Sequence, residues 1–146
     1  MAGVLASAAL ATAVVGITAS PAHAISHCNG GRWVTMGSYQ VFAPAYGGNL
    51  WCVLSQGDNN NWGVVALQNA LRECYNQNIA LDGDFGPATR QALVNAQTWE
   101  VYVYGERIAI DGIYGPDTKS AMLWPFYVPG YPLDKPLYCE DGGYPF

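Results

Sequence analysis

Apolar residues recur at intervals of three to four positions in "NWGVVALQNALRECY". The apolar positions are Val64, Leu67, Leu71, Cys74 and Tyr75. This spacing is typical of an amphipathic helix that buries one face. The polar residues 58–61 precede it and supply turn and capping side chains. The pattern therefore predicts a first helix from about Trp62 to Tyr75.

A second pattern occurs twice. "IALDGDFGPATRQALV" begins at Ile79, and "IAIDGIYGPDTKSAML" begins 29 positions later at Ile108, with eight of 16 aligned residues identical. In both copies a Gly-Pro pair precedes an apolar run, and proline is favoured at the first position of a helix. We expect one helix after Gly86 that extends to about Trp99, and another after Gly115 that extends to about Trp124.

Each copy has the residues of a turn that leads into a helix. The Asp can accept backbone hydrogen bonds as in an Asx-turn, and the Gly after it permits positive φ. The aromatic residue points inward, the second Gly is the N-cap, and the Thr reaches back toward the turn. A Gln lies 14 positions before each Asp, so we expect it to bond turn backbone. The pairs are Gln68/Gln97, Asp82/Asp111, Gly83/Gly112, Phe85/Tyr114, Gly86/Gly115 and Thr89/Thr118.

The segments on either side of the predicted helices differ from them in composition and predicted structure. Residues 25–51 contain short β-like pieces, "RWVTM" and "YQVF", while residues 125–146 hold five of the nine prolines and predict an irregular, packed tail. The expected fold is mainly α: a compact three-helix bundle with irregular and short β flanks braced by disulfides. We divide the chain into residues 1–24, an N-terminal extension 25–51, a helical domain 52–124 and the tail 125–146.

The first 24 residues resemble a secretory signal. An apolar, Ala-rich run is followed by Ala22-His23-Ala24, which is an A-x-A cleavage pattern. The alternative, an uncleaved membrane anchor, is disfavoured by Pro21 and by the weak hydrophobicity of alanine. We therefore expect a secreted, extracellular protein that is associated with the cell wall and has no membrane contact after cleavage.

Charge and histidine content exclude several classes of partner. The net charge is −5, and the six basic residues are scattered, which disfavours nucleic acid and anionic membranes. "DGDFG" resembles the start of a calcium loop, but Gly86 and Pro87 occupy positions that such a loop fills differently. With His27 as the one histidine after the signal, we expect neither a metal nor a cofactor.

Several motifs in a fixed order resemble a known family. "VVALQNAL", "LDGDFGPATRQALVNAQ" and "IDGIYGPDTKSAM" are similar to the peptidoglycan-binding domain appended to bacterial cell-wall amidases, muramidases and zinc peptidases. The resemblance covers about residues 52–124 and implies a three-helix bundle that targets the wall. Two departures are Ala96, where the family usually has Phe, and the long aromatic segment "TWEVYVYGERIA"; both fall near one helix end and point to a remodelled groove.

The four cysteines fit this picture as two disulfides, because an even count in an exported chain favours a disulfide framework. Spacing leaves three connectivities open. Since Cys52 precedes the first helix and Cys74 ends it, we favour a Cys52–Cys74 bridge, with Cys28–Cys139 joining the flanks.

The expected function is non-catalytic binding of peptidoglycan, through its glycan, its stem peptide or both. The chain lacks the side chains that a zinc or cysteine hydrolase needs. A carboxylate-based muramidase stays a possible alternative, because the chain has eleven acidic residues and such an enzyme needs two. The second hypothesis is a secreted adaptor or inhibitor that binds a protein. The candidate ligand-binding residues, around the ends of the first two helices, are Trp62, Tyr75, Trp99, Tyr102 and Tyr104. Aromatic residues on helices pack in the core more often than they bind a ligand, and this alternative applies to Tyr75 and Trp99. We expect Tyr102 and Tyr104 to be exposed.

Overall fold

The structure is a computed structural model that describes residues 24–130 and 136–141. The predicted signal peptide, but for Ala24, lies outside the described residues. The elements in chain order are β1 (Gly30–Met36), β2 (Tyr39–Ala45), α1 (Trp62–Tyr75), α2 (Pro87–Trp99), a π-helical turn (Glu100–Tyr104), α3 (Pro116–Ala121), β3 (Leu123–Phe126) and β4 (Tyr138–Asp141). Within the described ranges, no helix has the length and apolar character needed to cross a membrane.

Helix α1 lies at the centre of the fold and contacts β1, β2, β3 and α2. Its N-cap is Asn61, whose Oδ1 accepts the Gly63 N–H at 2.8 Å. It ends at Asn76, which adopts the left-handed conformation (φ 53°) and donates its N–H to the Leu71 carbonyl. On its predicted apolar face, Val64, Leu67 and Leu71 are fully buried, while Cys74 and Tyr75 at the C-terminal end are partly buried. Burial of that face on several sides stabilises α1 as the core element.

The predicted three helices are present, and the predicted bounds of α1 and α2 are confirmed. Helix α3 ends at Ala121 instead of about Trp124, because Met122 is already extended (ψ 148°) and Leu123–Phe126 pairs with β4. Trp124 also precedes Pro125, and a residue before proline avoids the α conformation. Only 34% of the structure is helical, so the expectation of a mainly α fold is confirmed only in part.

The described strands form two separate two-stranded antiparallel sheets. Strands β1 and β2, which contain the two predicted β-like pieces, pair from Gly30↔Ala45 to Met36↔Tyr39. Strands β3 and β4 pair from Leu123↔Asp141 to Phe126↔Tyr138. The prediction of an irregular tail is therefore wrong for the residues of the tail that lie in these two strands. These strands form because two segments that are distant in the sequence pair with each other, and local sequence patterns do not indicate such pairing. Residues 131–135 and 142–146 of the predicted tail lie outside the described residues.

The first Asp-Gly turn is fastened to α1 by the buried side chain of Gln68. Its Nε2 donates to Asp82 Oδ1 (2.7 Å) and Thr89 Oγ1 (3.0 Å), and its Oε1 accepts the Gly83 N–H (3.0 Å). Asp82 Oδ1 also accepts the Asp84 N–H (3.0 Å), which closes the predicted Asx-turn. The Asp84 N–H and then the Gln68 amide lower the pKa of the Asp82 carboxyl. The predicted role of Gln68 is confirmed.

The second turn repeats this network one helix later. Gln97 Nε2 donates to Asp111 Oδ1 (3.3 Å), Ile113 O (3.0 Å) and Thr118 Oγ1 (3.3 Å), and its Oε1 accepts the Gly112 N–H (2.8 Å). Asp111 Oδ1 accepts the Ile113 N–H at 2.8 Å. Because each buried polar atom of the amide finds a partner, the network offsets the cost of burying it. The sequence repeat is therefore two copies of one helix-to-turn connection.

The remaining repeat positions also have the predicted conformations. Gly83 and Gly112 adopt positive φ (77° and 72°), which disfavours any side chain there. Gly86 and Gly115 are the N-caps of α2 and α3, with proline at the first helical position. The inward aromatic residues, Phe85 and Tyr114, are fully buried.

Two disulfides form, as expected from the even count, but the predicted pairing is wrong. The bonds are Cys28–Cys52 and Cys74–Cys139, with Cα atoms 5.1 and 5.7 Å apart. The chain around Cys28 runs beside Val53, whose carbonyl accepts the Cys28 N–H at 2.8 Å. That contact holds both cysteines near the start of α1. Cys74 is near the other end, roughly 20 Å away along a 14-residue helix, too far for a disulfide.

We predict that Gln68→Ala and Gln97→Ala each lower the free energy of unfolding by about 2–3 kcal/mol, because each leaves several buried groups without hydrogen bonds. Urea denaturation monitored by circular dichroism measures this loss. Gln56→Ala is the matched control, since Gln56 is exposed. A loss below about 0.5 kcal/mol in both test variants would contradict the role assigned to the two amides.

Tyr114 carries a polar atom that its counterpart Phe85 lacks. Its buried hydroxyl has no hydrogen-bond partner within the described part of the chain, and burial raises its pKa. Tyr114→Phe removes the desolvated group without removing a described hydrogen bond. The free energy of unfolding should therefore rise by about 1 kcal/mol. A decrease of that size in the same denaturation assay would show that the hydroxyl is satisfied.

Candidate functional site

A groove of about 580 Å³ lies between the C-terminal ends of α1 and α2. Small-molecule sites commonly fall between about 300 and 1,000 Å³. Its lining residues are Cys74, Tyr75, Asn76, Gln77, Asn95, Trp99, Tyr104 and Leu123. The groove therefore combines aromatic rings with side-chain amides, at the place where the aromatic insertion follows α2.

Three of the five candidate aromatic residues meet in this groove: Tyr75, Trp99 and Tyr104. Trp99 is 51% exposed, so the core role considered for it does not apply, and Tyr104 is 57% exposed as expected. Tyr102 is also exposed as expected, but it lies outside the lining residues. Trp62 lies at the opposite end of α1, so the five residues do not form one cluster.

One wall of the groove is an ordered row of amide side chains. Gln91 Nε2 donates to Asn95 Oδ1 (3.0 Å), and Asn95 Nδ2 donates to Gln77 Oε1 (2.9 Å). Gln77 Nε2 then donates to the Tyr75 carbonyl (2.8 Å). These bonds fix the side-chain conformations, while each NH₂ keeps a second hydrogen for a ligand. Asn76 also lines the groove but takes no part in this row of bonds. We call Gln77, Asn95 and Asn76 together the amide wall.

The floor of the groove is held by a buried carboxyl. The Tyr75 hydroxyl donates to Glu100 Oε1 and accepts the Leu123 N–H at 2.6 Å. Glu100 is only 1% exposed, and its burial raises the pKa of its carboxyl above the ordinary range. Burial likewise raises the pKa of Tyr75, which keeps the phenol protonated. The pair therefore positions the Tyr75 ring between α1, α2 and β3.

The insertion after α2 is helical at its start. Glu100–Tyr104 forms a π-helical turn that ends at Gly105, whose positive φ of 80° lets its N–H bond the Glu100 carbonyl. One extra residue in a helical turn rotates the following side chains by about 100° relative to an α-helix. This turn brings Tyr104 to the groove. Ala96, the other departure from the family motif, is buried in the core and does not line the groove.

A smaller depression of about 200 Å³ lies at the other end of α1. Trp62, which is 66% exposed, lines it together with Leu81 and Asp82. Asp82 is already bonded within the first turn, and the depression is only about a third as large as the groove. Trp62 is therefore a separate surface aromatic residue.

Sequence reasoning missed the amide wall and Glu100. Asn95 and Trp99 are four residues apart, so a shared face of α2 was visible in the spacing. Gln77 is 18 positions before Asn95, and nothing in the local sequence indicates that their side chains meet. The burial of Glu100 depends on the π turn, which the aromatic composition of the segment does not encode.

The raised pKa of Glu100 gives a pH-dependent prediction. A carboxyl whose pKa is higher in the folded than in the unfolded chain binds more protons when folded, so its contribution to stability falls as pH rises above about 4.3. Glu100→Gln stays neutral and retains an oxygen for the Tyr75 hydroxyl. Relative to the wild type, this variant should gain free energy of unfolding between pH 3.5 and 7. Parallel pH profiles of the two proteins, from urea denaturation, would contradict the burial of an ionisable Glu100.

Comparison with known protein families gives a match to the helical part of the chain. A model of the peptidoglycan binding domain family matches residues 61–122. The matched segment begins at the N-cap of α1 and ends directly after α3, so it contains both Asp-Gly turns and both buried glutamines. Comparisons with curated proteins and with solved structures gave no match. Residues 61–122 of this chain therefore match the peptidoglycan binding domain family, as the resemblance of the motifs predicted.

Proposed function

We propose that this chain is an exported, non-catalytic protein that binds bacterial cell-wall peptidoglycan in the groove between α1 and α2. The family assignment supplies the class of ligand. The groove supplies a place for it within the matched segment and its immediate flank. The observation that carries the proposal is the pairing of exposed Trp99 and Tyr104 with the amide wall.

This pairing suits a sugar–peptide polymer. Aromatic faces offer flat apolar area at a small cost in side-chain entropy, and oriented amides offer both donors and acceptors. The hydrogen bonds along the amide wall order the side chains of Gln77 and Asn95 before any ligand arrives. Less conformational entropy is then lost on binding, which favours affinity from a shallow surface.

The absence of cleavage is part of the proposal and rests on the position of Glu100. Glycoside hydrolysis commonly needs two carboxyls about 5–10 Å apart that flank the scissile bond. Glu100 has the raised pKa of an acid catalyst, but its carboxyl is buried behind Tyr75 and its Oε1 accepts the phenol hydrogen. A ligand in the groove would contact the Tyr75 ring instead of this carboxyl.

Export is proposed from the N-terminal sequence and the cysteines. The A-x-A pattern at residues 22–24 fits a cleaved signal. All four cysteines are in disulfides, which persist in oxidising compartments outside the cytoplasm. Cys74–Cys139 also joins the groove end of α1 to β4, so an oxidising environment supports the shape of the site.

Tyr102 and Tyr104 offer a matched test of the groove. Both are exposed on the same π turn, and only Tyr104 lines the groove. We predict that Tyr104→Ala weakens binding to purified insoluble sacculi by about fivefold to tenfold, which corresponds to roughly 1–1.4 kcal/mol. Tyr102→Ala should bind as the wild type does. Co-sedimentation of the oxidised protein over a range of sacculus concentrations measures both affinities.

Melting temperatures should be unchanged in both variants, since neither side chain is buried. Equal loss of binding in the two variants would place the contact on the outer face of the π turn. Wild-type protein that stays in the supernatant would contradict wall binding and favour a protein partner. Release of soluble muropeptides by the wild type would contradict the non-catalytic proposal.

A further inference from the structure

We infer that the groove takes the glycan strand of the wall, through the neutral rings and acetamido groups of its N-acetylated hexosamines, and that this recognition does not need the stem peptides. The inference rests on the proposed function, since it names the part of the polymer that the site recognises. It also extends the set of ligands, because an oligomer of β-1,4-linked N-acetylglucosamine has the same backbone and should bind.

The first argument is the lack of charge in the groove. Its lining, as the structure describes it, contains no Lys, Arg, Asp or Glu side chain. Stem peptides carry ionised carboxylates and amines, and each would lose hydration in the groove without an opposite charge to offset that loss. Sugar hydroxyls and acetamido groups are neutral, so they do not incur this cost.

The second argument is electrostatic. Beneath the Tyr75 ring lies Glu100, and the charges of Glu106 and Asp141 act on its carboxyl and raise its pKa further. The whole chain carries a net charge of −5. An anionic stem-peptide terminus would therefore meet repulsion from this side of the groove, whereas a neutral glycan would not.

The third argument is the match of functional groups. An acetamido group presents one N–H donor and one carbonyl acceptor, and each side-chain amide of the amide wall offers a carbonyl oxygen and at least one N–H that is not used within the row. Asn76, Gln77 and Asn95 can pair with such groups, and the half-exposed indole of Trp99 can cover the apolar face of a pyranose ring. Polar and stacking contacts thus lie on different sides of one groove, as a flat ring with polar edges requires.

The test is isothermal titration of the oxidised, signal-free protein with chitotetraose, the β-1,4-linked tetramer of N-acetylglucosamine. Parallel titrations use stem peptides released from sacculi by an amidase, and parallel sedimentations use intact sacculi. We expect saturable binding of chitotetraose and no binding of free stem peptides. Trp99→Ala should raise the Kd for chitotetraose by about tenfold or more. Trp62→Ala, at an exposed tryptophan outside the groove, should leave the Kd within about twofold of the wild-type value.

Each other outcome overturns a separate step. Sedimentation with sacculi together with binding of stem peptides and not of chitotetraose would refute the glycan assignment and leave the proposed function intact. If the protein bound neither sacculi nor chitotetraose, both the glycan assignment and the proposed function would be wrong. Binding of chitotetraose that depends on Trp62 and not on Trp99 would move the glycan site to the smaller depression.

Discussion

Two buried glutamine side chains set the geometry on which the rest of this structure depends. A buried amide must satisfy its donors and acceptor, and Gln68 and Gln97 do so by bonding the turn that follows their own helix. Gln68 thereby determines how the chain returns from α1 into α2, and Gln97 how it returns from α2 into α3. The groove lies between the C-terminal ends of α1 and α2, so it is built on the two helices that the Gln68 connection joins.

The groove adds local features to that shared framework. The bond from Tyr75 to Glu100 joins α1 to the π turn, and Leu123 adds β3 to the same point. The Cys74–Cys139 disulfide ties β4 beside it. A carboxyl with a raised pKa is often a sign of catalysis, but here burial and the Tyr75 hydroxyl assign Glu100 a positioning role. The flanks outside the family segment thus contribute to the shape of the proposed binding site.

The sequence predicts what local physics determines. Helical spacing located α1 and α2, and the Gly-Pro pairs located the starts of α2 and α3, because capping and periodicity act within a few residues. The 14-residue offset from Gln to Asp was readable because it occurs twice. The disulfide pairing could not be predicted, since it depends on the parallel bridge between His27 and Val53, which brings Cys28 beside Cys52. The amide wall and the strand pairing of β3 with β4 are likewise contacts between distant segments.

The most direct test of the central claim is a map of ligand contacts by NMR. Backbone and side-chain amide resonances of the oxidised protein would be followed during titration with soluble peptidoglycan fragments. We predict that the largest shifts occur at the side-chain amides of Gln77 and Asn95 and at the indole N–H of Trp99, with little change at Trp62. Shifts concentrated at Trp62 or on the β1–β2 hairpin would contradict the placement of the binding site in the groove between α1 and α2.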